Sequence, residues 1–124
     1  MNVVDSSAWL EYFADGPNAV VFAKPIEATR LLLVPSLSLF EVFKRISQQR
    51  NEDEALRAVA VMEQGKVVDL DRATALEAAR LSLLHHIAMA DSVMLATAQR
   101  SRATLWTQDA DFENLPGTRY FAKR

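Results

Sequence analysis

Short runs of consecutive apolar residues alternate along this chain with longer segments in which apolar residues recur at helical spacing. The run at residues 31–34, for example, ends at Pro35 and is followed by a helical pattern over residues 36–49. A fully apolar run of this length is typical of a strand buried on both faces of a parallel sheet. The alternation therefore predicts an α/β fold, a three-layer α/β/α sandwich around a short parallel sheet.

The bounds of individual elements follow from the same periodicity and from capping residues. Asn51, with Glu54 three residues later, and Asp71 are predicted to begin helices. Pro25 lies inside a helical segment and is expected to kink or divide it. We predict strands at residues 3–4, 31–34, 66–70, 103–107 and 119–121, and helices at residues 6–13, 18–29, 36–49, 51–64, 73–84 and 89–100.

Length and composition limit the classes of protein to consider. The chain has 124 residues, half of them hydrophobic, which predicts a single domain spanning residues 1–124. A net charge of −2 argues against binding nucleic acid through overall charge, and the absence of cysteine excludes disulfides, cysteine-ligated metals and thiol nucleophiles. No segment has the pattern of a targeting peptide or a membrane span, so we expect a cytoplasmic protein with no membrane partner.

Acidic residues occupy positions where acids are seldom found without a function. Asp5 ends the first predicted strand, and Asp109 lies two residues after the fourth, at the edge where open parallel sheets bind ligands. Glu41 and Asp91 lie in helical segments that are apolar on nearly every side, which predicts burial. Buried carboxylates are costly unless paired or bound to a metal, and a hard cation such as Mg²⁺ or Mn²⁺ would offset their mutual repulsion.

Each acid also has a purely structural explanation. Asp5 and Asp91 could cap the helices that follow or contain them. Glu41 could pair with Lys44 or Arg45, one helical turn away. The acids after the fourth strand could be turn residues. One shared site remains the simpler hypothesis, because a single parallel sheet would bring all of these positions to one edge.

The four acids lie in four short segments, which are VVDSSA at residues 3–8, PSLSLFEV at 35–42, ADSVMLATA at 90–98 and LWTQDADF at 105–112. The order and separation of these segments resemble the acidic motifs of PIN-domain nucleases. The similarity extends over almost the whole chain, and the chain length and motif order resemble the VapC-type toxins of prokaryotic toxin–antitoxin pairs.

The resemblance implies a PIN-like fold and a Mg²⁺- or Mn²⁺-dependent endoribonuclease that cleaves RNA, is inhibited by a cognate antitoxin and forms a homodimer. It implies that the acidic residues forming the catalytic and metal site are Asp5, Glu41, Asp91 and Asp109. The residues expected to support them are the hydroxyls of Thr107 and of Ser6 or Ser7, and the outer acid Asp111. Three basic residues are candidates for holding RNA: Lys44, Arg45 and Arg50. The alternative is that they form a solvated charged face of a helix.

Two other classes of protein remain open. A phosphatase with an aspartyl nucleophile would also use Asp5, but such enzymes usually carry a second aspartate two residues later, where this chain has Ser7. A non-catalytic interaction domain of the same fold would be free to lose acids. Five aromatic residues fall on apolar faces, so we predict that they lie in the core and do not stack on bases. They are Trp9, Phe13, Phe40, Phe43 and Trp106.

Overall fold

The computed structural model describes residues 1–124 and contains one five-stranded sheet in which every neighbouring pair of strands is parallel. The strands are β1 (Asn2–Val4), β2 (Leu32–Pro35), β3 (Lys66–Val68), β4 (Thr104–Thr107) and β5 (Thr118–Tyr120). Their order is β3-β2-β1-β4-β5, so the direction in which strands are added reverses between β1 and β4.

Six α-helices connect and cover the strands. They are α1 (Ser6–Phe13), α2 (Ala19–Glu27), α3 (Ser36–Gln49), α4 (Glu52–Met62), α5 (Arg72–His85) and α6 (Met89–Arg100). Single 3-10 turns lie at Thr29–Leu31 and Ala110–Phe112. Asn51 and Asp71 cap α4 and α5 as predicted, by accepting hydrogen bonds from backbone amides of those helices.

The sheet separates two hydrophobic cores. Val3 and Leu105 point to one face, where they pack with residues of α5 and α6. Val4 and Trp106, the next residues along each strand, point to the other face and pack with residues of α1 to α4. Side chains alternate between the faces of a strand, so helices on both sides bury both sets. The predicted three-layer α/β/α sandwich is confirmed.

Pro25 was expected to kink or divide the second helix, and the structure excludes the division. The helix continues through Pro25 and ends at Glu27, two residues after the proline. Proline at this point removes one backbone hydrogen bond close to the end of the helix. The ring is buried, as are Phe22 and Ile26 of the same helix.

The helix that carries Glu41 is not buried on all sides, in contrast to the expectation. Only Ser38 and Val42 of α3 are fully buried, while Phe40 is 59% exposed. Residues 38 and 42 are four apart and share one face, whereas residue 40 is turned about 200° from each of them. The prediction that Phe40 belongs to the core was therefore wrong, because this helix has a sheet on one side only.

No single helix in the structure is long and apolar enough to span a membrane. Helices α5 and α6 reach that length and hydropathy only when taken together, and the chain bends by 115° between them.

Candidate active site

The acidic residues gather where the strand order reverses. Asp5 directly follows β1, Thr107 ends the neighbouring strand β4, and the backbone N–H of Asp5 donates to the carbonyl of Trp106 at 3.1 Å. A crevice forms at this point because the connections from the two adjacent strands lead to opposite sides of the sheet. The site therefore lies at the position where open α/β sheets bind their ligands.

Asp5 is buried and held at both carboxylate oxygens. Its Oδ2 accepts from Thr107 Oγ1 at 2.7 Å, and its Oδ1 accepts from Ser7 Oγ at 2.8 Å and from the backbone N–H of Ala8 at 3.0 Å. Burial raises the pKa of Asp5 from 3.8 to about 6, although these hydrogen bonds act in the opposite direction. Asp5 thus caps α1 and also forms part of the acidic site, so the two interpretations of this residue are compatible.

Thr107 connects two of the acids. While its hydroxyl donates to Asp5, it accepts a hydrogen bond from the backbone N–H of Asp109 at 2.9 Å. Asp109 Oδ1 in turn accepts from the N–H of Asp111 at 2.9 Å. The loop after β4 is therefore tied to the end of β1 by one chain of hydrogen bonds, which fixes the positions of both aspartates.

Asp91 lies in the first turn of α6 but does not cap the helix. Ala88 is the N-terminal cap residue, and no side chain accepts a capping hydrogen bond there. Burial raises the pKa of Asp91 from 3.8 to about 7, with further contributions from the neighbouring acids, of which Asp109 contributes most. The capping alternative for Asp91 is excluded, and its carboxylate is electrostatically coupled to the rest of the site.

Glu41 reaches the same region from α3. Its Oε1 accepts a hydrogen bond from Ser6 Oγ at 2.6 Å, and its charge contributes to the raised pKa of Asp91. It forms no ion pair with Lys44 or Arg45, since the two ion pairs of the structure lie elsewhere. A serine hydroxyl from α1, and not a cation from its own helix, holds Glu41.

Three carboxylates are close enough to bind one metal ion. Oxygen atoms of Asp91, Asp109 and Asp111 all lie within 4.8 Å of one another. Carboxylate oxygens are the ligands that Mg²⁺ and Mn²⁺ prefer, and no lysine or arginine is paired with these acids. The donor set fits a hard divalent cation. Asp111, which the sequence indicated as a supporting acid, belongs to this cluster.

The sequence did not distinguish the roles of Ser6 and Ser7. Adjacent helical residues point about 100° apart, so the two hydroxyls reach different acids: Ser6 donates to Glu41 and Ser7 to Asp5. Lys123 carried no sequence signal at all, because it follows the last strand without any periodic pattern. It lines a shallow cavity together with Asp109 and Tyr120.

The basic residues on α3 and directly after it form two groups. Lys44 and Arg45 are exposed on α3, within one turn of Glu41. Arg50 follows the end of α3, about 13 Å along the helix axis from Glu41 at 1.5 Å per residue. Its Nε lies 3.8 Å from Glu54, and it lines a groove between α1, α3 and α4. Only the first group lies on α3 within about one helical turn of an acid of the site.

The fold and the gathered acids define a class of α/β protein, and the sequence shows which one. The model of the PIN domain family matches residues 3–117. The chain belongs to the PIN domain family. A comparison of the sequence with curated proteins finds no match.

Several solved structures have the same fold at low sequence identity. A toxin–antitoxin complex from Klebsiella pneumoniae is similar over 100% of both chains, with a TM-score of 0.83 and 19% identity. VapC20 of Mycobacterium tuberculosis, described as a sarcin–ricin loop cleaving toxin, is similar over 94% of this chain and 96% of its own, with a TM-score of 0.79 and 14% identity. VapBC2 from Rickettsia felis, bound to promoter DNA, matches over 98% and 97%, with a TM-score of 0.76 and 12% identity.

Proposed function

We propose that this protein is an endoribonuclease that depends on Mg²⁺ or Mn²⁺ and acts as the toxin of a toxin–antitoxin pair, with residues 1–124 forming one nuclease domain in the cytoplasm. The observation that carries the proposal is the cluster of Asp91, Asp109 and Asp111, with carboxylate oxygens within 4.8 Å of one another. Membership of the PIN domain family and the description of VapC20 as a sarcin–ricin loop cleaving toxin support it.

In this proposal the clustered acids would hold the cation, with Asp5 completing the negative site from the end of β1. A bound divalent cation supplies positive charge to the scissile phosphate and lowers the pKa of a water molecule. Thr107 keeps Asp5 and Asp109 in a fixed relative position through its two hydrogen bonds. Such rigid positioning of the ligands is what an ion with strict geometry, such as Mg²⁺, requires.

Glu41 is suited to orient the attacking water and to take its proton. Ser6 holds Oε1, and no protein donor occupies Oε2. A half-exposed carboxylate with one free oxygen can accept a proton from water within hydrogen-bond reach. Glu41, Asp5, Asp91 and Asp109 would thus form the catalytic site, with Ser6, Ser7 and Thr107 as positioning residues and Asp111 as a third cluster acid.

The phosphatase alternative fits the geometry less well. A nucleophilic aspartate must present one oxygen to the phosphorus atom of its substrate. Asp5 is 3% exposed, and both of its oxygens accept hydrogen bonds from Thr107, Ser7 and Ala8. A non-catalytic interaction domain would explain the fold but not the placement of five mutually repelling acids at one edge of the sheet.

An antitoxin partner follows from the proposed toxin function. The structures similar in fold include toxin–antitoxin complexes, and a surplus of negative charge at the site favours a partner that inserts an arginine or lysine. We propose inhibition by this route, together with a homodimer. Co-purification with the product of a neighbouring gene and light scattering of the free protein test the two parts separately.

The decisive experiment is RNA cleavage by the purified protein. We expect cleavage of single-stranded or looped RNA with Mg²⁺ or Mn²⁺, none in EDTA, and a loss of at least about 100-fold in rate for Asp91→Asn, because an amide cannot replace the charge that binds the ion. Asp53→Asn, an exposed change of the same kind on α4, is the matched control and should cleave normally. Equal activity in EDTA would overturn the proposal, and release of phosphate from a phosphomonoester instead would favour a phosphatase.

A further inference from the structure

Phe40 is an aromatic residue exposed to solvent beside the acidic site. It immediately precedes Glu41 on α3, and the residue is 59% exposed, on the face opposite to the buried Ser38 and Val42. An isolated exposed aliphatic residue is ordinary, but a large aromatic ring that flanks a polar site offers a flat apolar surface for a ligand. Its place next to an acid of the site therefore needs an explanation.

A cation lies over the same ring. Lys44, one turn further along α3, places its Nζ 5.7 Å from the centroid of the Phe40 ring, and Lys44 makes no ion pair with any carboxylate. Glu41, three residues before Lys44, is held by Ser6 instead. The surface beside Glu41 thus combines a solvent-exposed aromatic ring with a positive charge that no carboxylate pairs. Proteins that bind single-stranded nucleic acid combine the same two groups, one for bases and one for phosphates.

We propose that Phe40 stacks on an unpaired base of the RNA adjacent to the scissile phosphate, while Lys44 contacts the neighbouring phosphate. This inference rests on the nuclease function proposed above and names the feature of the substrate that the site recognises. A base can lie on the ring only if it is unstacked, so the contact selects single-stranded or looped RNA. Every base has a π face, so the contact tolerates any base at that position.

The experiment measures binding of RNA to variants of Phe40. A fluorescein-labelled single-stranded 12-nucleotide RNA of mixed sequence is titrated by anisotropy, with Ca²⁺ in place of Mg²⁺ to slow hydrolysis. Phe40→Leu removes the aromatic face but keeps an apolar side chain, and Phe40→Trp keeps an aromatic face. Leu56→Ala is the matched control, because Leu56 is 52% exposed on α4, a helix that carries none of the acids of the site.

We expect Phe40→Leu to weaken binding by about tenfold, within the range of one base–aromatic stack, whereas Phe40→Trp and Leu56→Ala bind like the wild type. An RNA of the same length with abasic nucleotides should bind the wild type and Phe40→Leu equally well, since it offers no base to stack. A purely structural role of Phe40 would weaken binding of both RNAs. In Mg²⁺, Phe40→Leu should raise KM more than it lowers kcat, because the ring holds the substrate and does not take part in bond breaking.

Three results would overturn the inference. If Phe40→Leu binds and cleaves RNA like the wild type, Phe40 does not stack on a base, and the proposed nuclease function is unaffected. Equal weakening for normal and abasic RNA assigns Phe40 to the fold. A Phe40→Leu protein that loses self-association or antitoxin binding, with RNA affinity of the free chain unchanged, assigns the ring to a protein interface. A wild-type protein that neither binds nor cleaves RNA would instead overturn the nuclease function itself.

Discussion

At the scale of single residues, the acidic site works against the stability of the metal-free protein. The pKa of Asp5 is raised to about 6 and that of Asp91 to about 7, in both cases chiefly by burial. Folding therefore favours the protonated form of each acid. Their contribution to stability is fully present below the unfolded pKa of about 4 and is lost as the pH rises through the folded values. The metal-free protein should thus lose stability between about pH 4 and pH 7.

Asp91→Asn tests this electrostatic strain directly. In EDTA at pH 7 we expect the variant to melt about 4 °C higher than the wild type, because the amide carries no charge to desolvate or repel. At pH 4 the difference should shrink, since Asp91 is then protonated in the folded wild type. Thermal melts of both proteins across this pH range give the measurement, with Asp53→Asn as the control for a general loss of one negative charge. A clearly less stable variant at pH 7 would make Asp91 a structural residue.

We expect the hydroxyl of Thr107 to contribute to the stability of the protein by holding two acids of the site. It is fully buried, it donates to Asp5, and it accepts from the backbone of Asp109. Thr107→Val keeps the shape but leaves Asp5 Oδ2 and the backbone N–H of Asp109 without these hydrogen bonds, which should lower the free energy of unfolding by about 2 kcal/mol. Thr107→Ser retains the hydroxyl and should lose less than half as much. Urea denaturation distinguishes the two variants, and equal losses would show that the methyl group matters instead.

At the scale of secondary structure, the helices divide between those that carry the site and those that support it. Helices α3 and α6 each present one acid, and α1 provides the two serines that hold Glu41 and Asp5. Helix α4 carries none of the five acids of the site and contributes apolar residues to the core beneath α3. A change that weakens α4 alone should therefore separate stability from activity.

Asn51→Ala is such a change. Asn51 Oδ1 accepts a hydrogen bond from the N–H of Glu54 at 2.8 Å and caps α4. Removing this cap should cost about 1 kcal/mol and lower the melting temperature by about 4 °C. The rate of RNA cleavage at 25 °C should stay within about twofold of the wild type, because the fully folded state still dominates. Asn51→Asp keeps the cap and serves as the control; a cleavage rate that falls with the cap would imply that α4 contacts the substrate.

At the scale of the whole molecule, a divalent cation should stabilise the native state by relieving the repulsion among the acids. We expect Mg²⁺ at about ten times its dissociation constant to add about 1.4 kcal/mol at pH 7, or about 5 °C in melting temperature. The effect should be smaller at pH 5, where protons on Asp5 and Asp91 compete with the ion. Melts in MgCl₂ are compared with melts in NaCl of the same ionic strength.

Asp91→Asn should reduce the stabilisation by Mg²⁺ and so connect the effect to the site. An equal stabilisation of wild type and variant would place the ion elsewhere on the molecule. Stabilisation by NaCl as large as that by MgCl₂ would instead indicate general screening of charge.

Local properties of the chain were enough to predict the architecture. Burial on both faces makes the inner strands continuous apolar runs, and that pattern, with the caps at Asn51 and Asp71, indicated the order of strands and helices. The positions of Asp5 and Asp109 after β1 and β4 placed them at one edge of the sheet, because all strands of a parallel sheet end there. These features depend on the periodicity of apolar residues and on the order of the elements, both of which can be read from the sequence.

Only the tertiary structure decided which side chains meet. Ser6 and Ser7 carry the same hydroxyl group in the sequence, and the approach of α3 to α1 determines that Ser6 is the one that reaches Glu41, while Ser7 bonds locally to Asp5. The exposure of Phe40 depends on which face of α3 packs against the rest of the protein. The sequence of α3 is apolar on several faces, so it does not show which face is buried. Distances between side chains on separate elements depend on how those elements pack, and packing is a property of the whole chain.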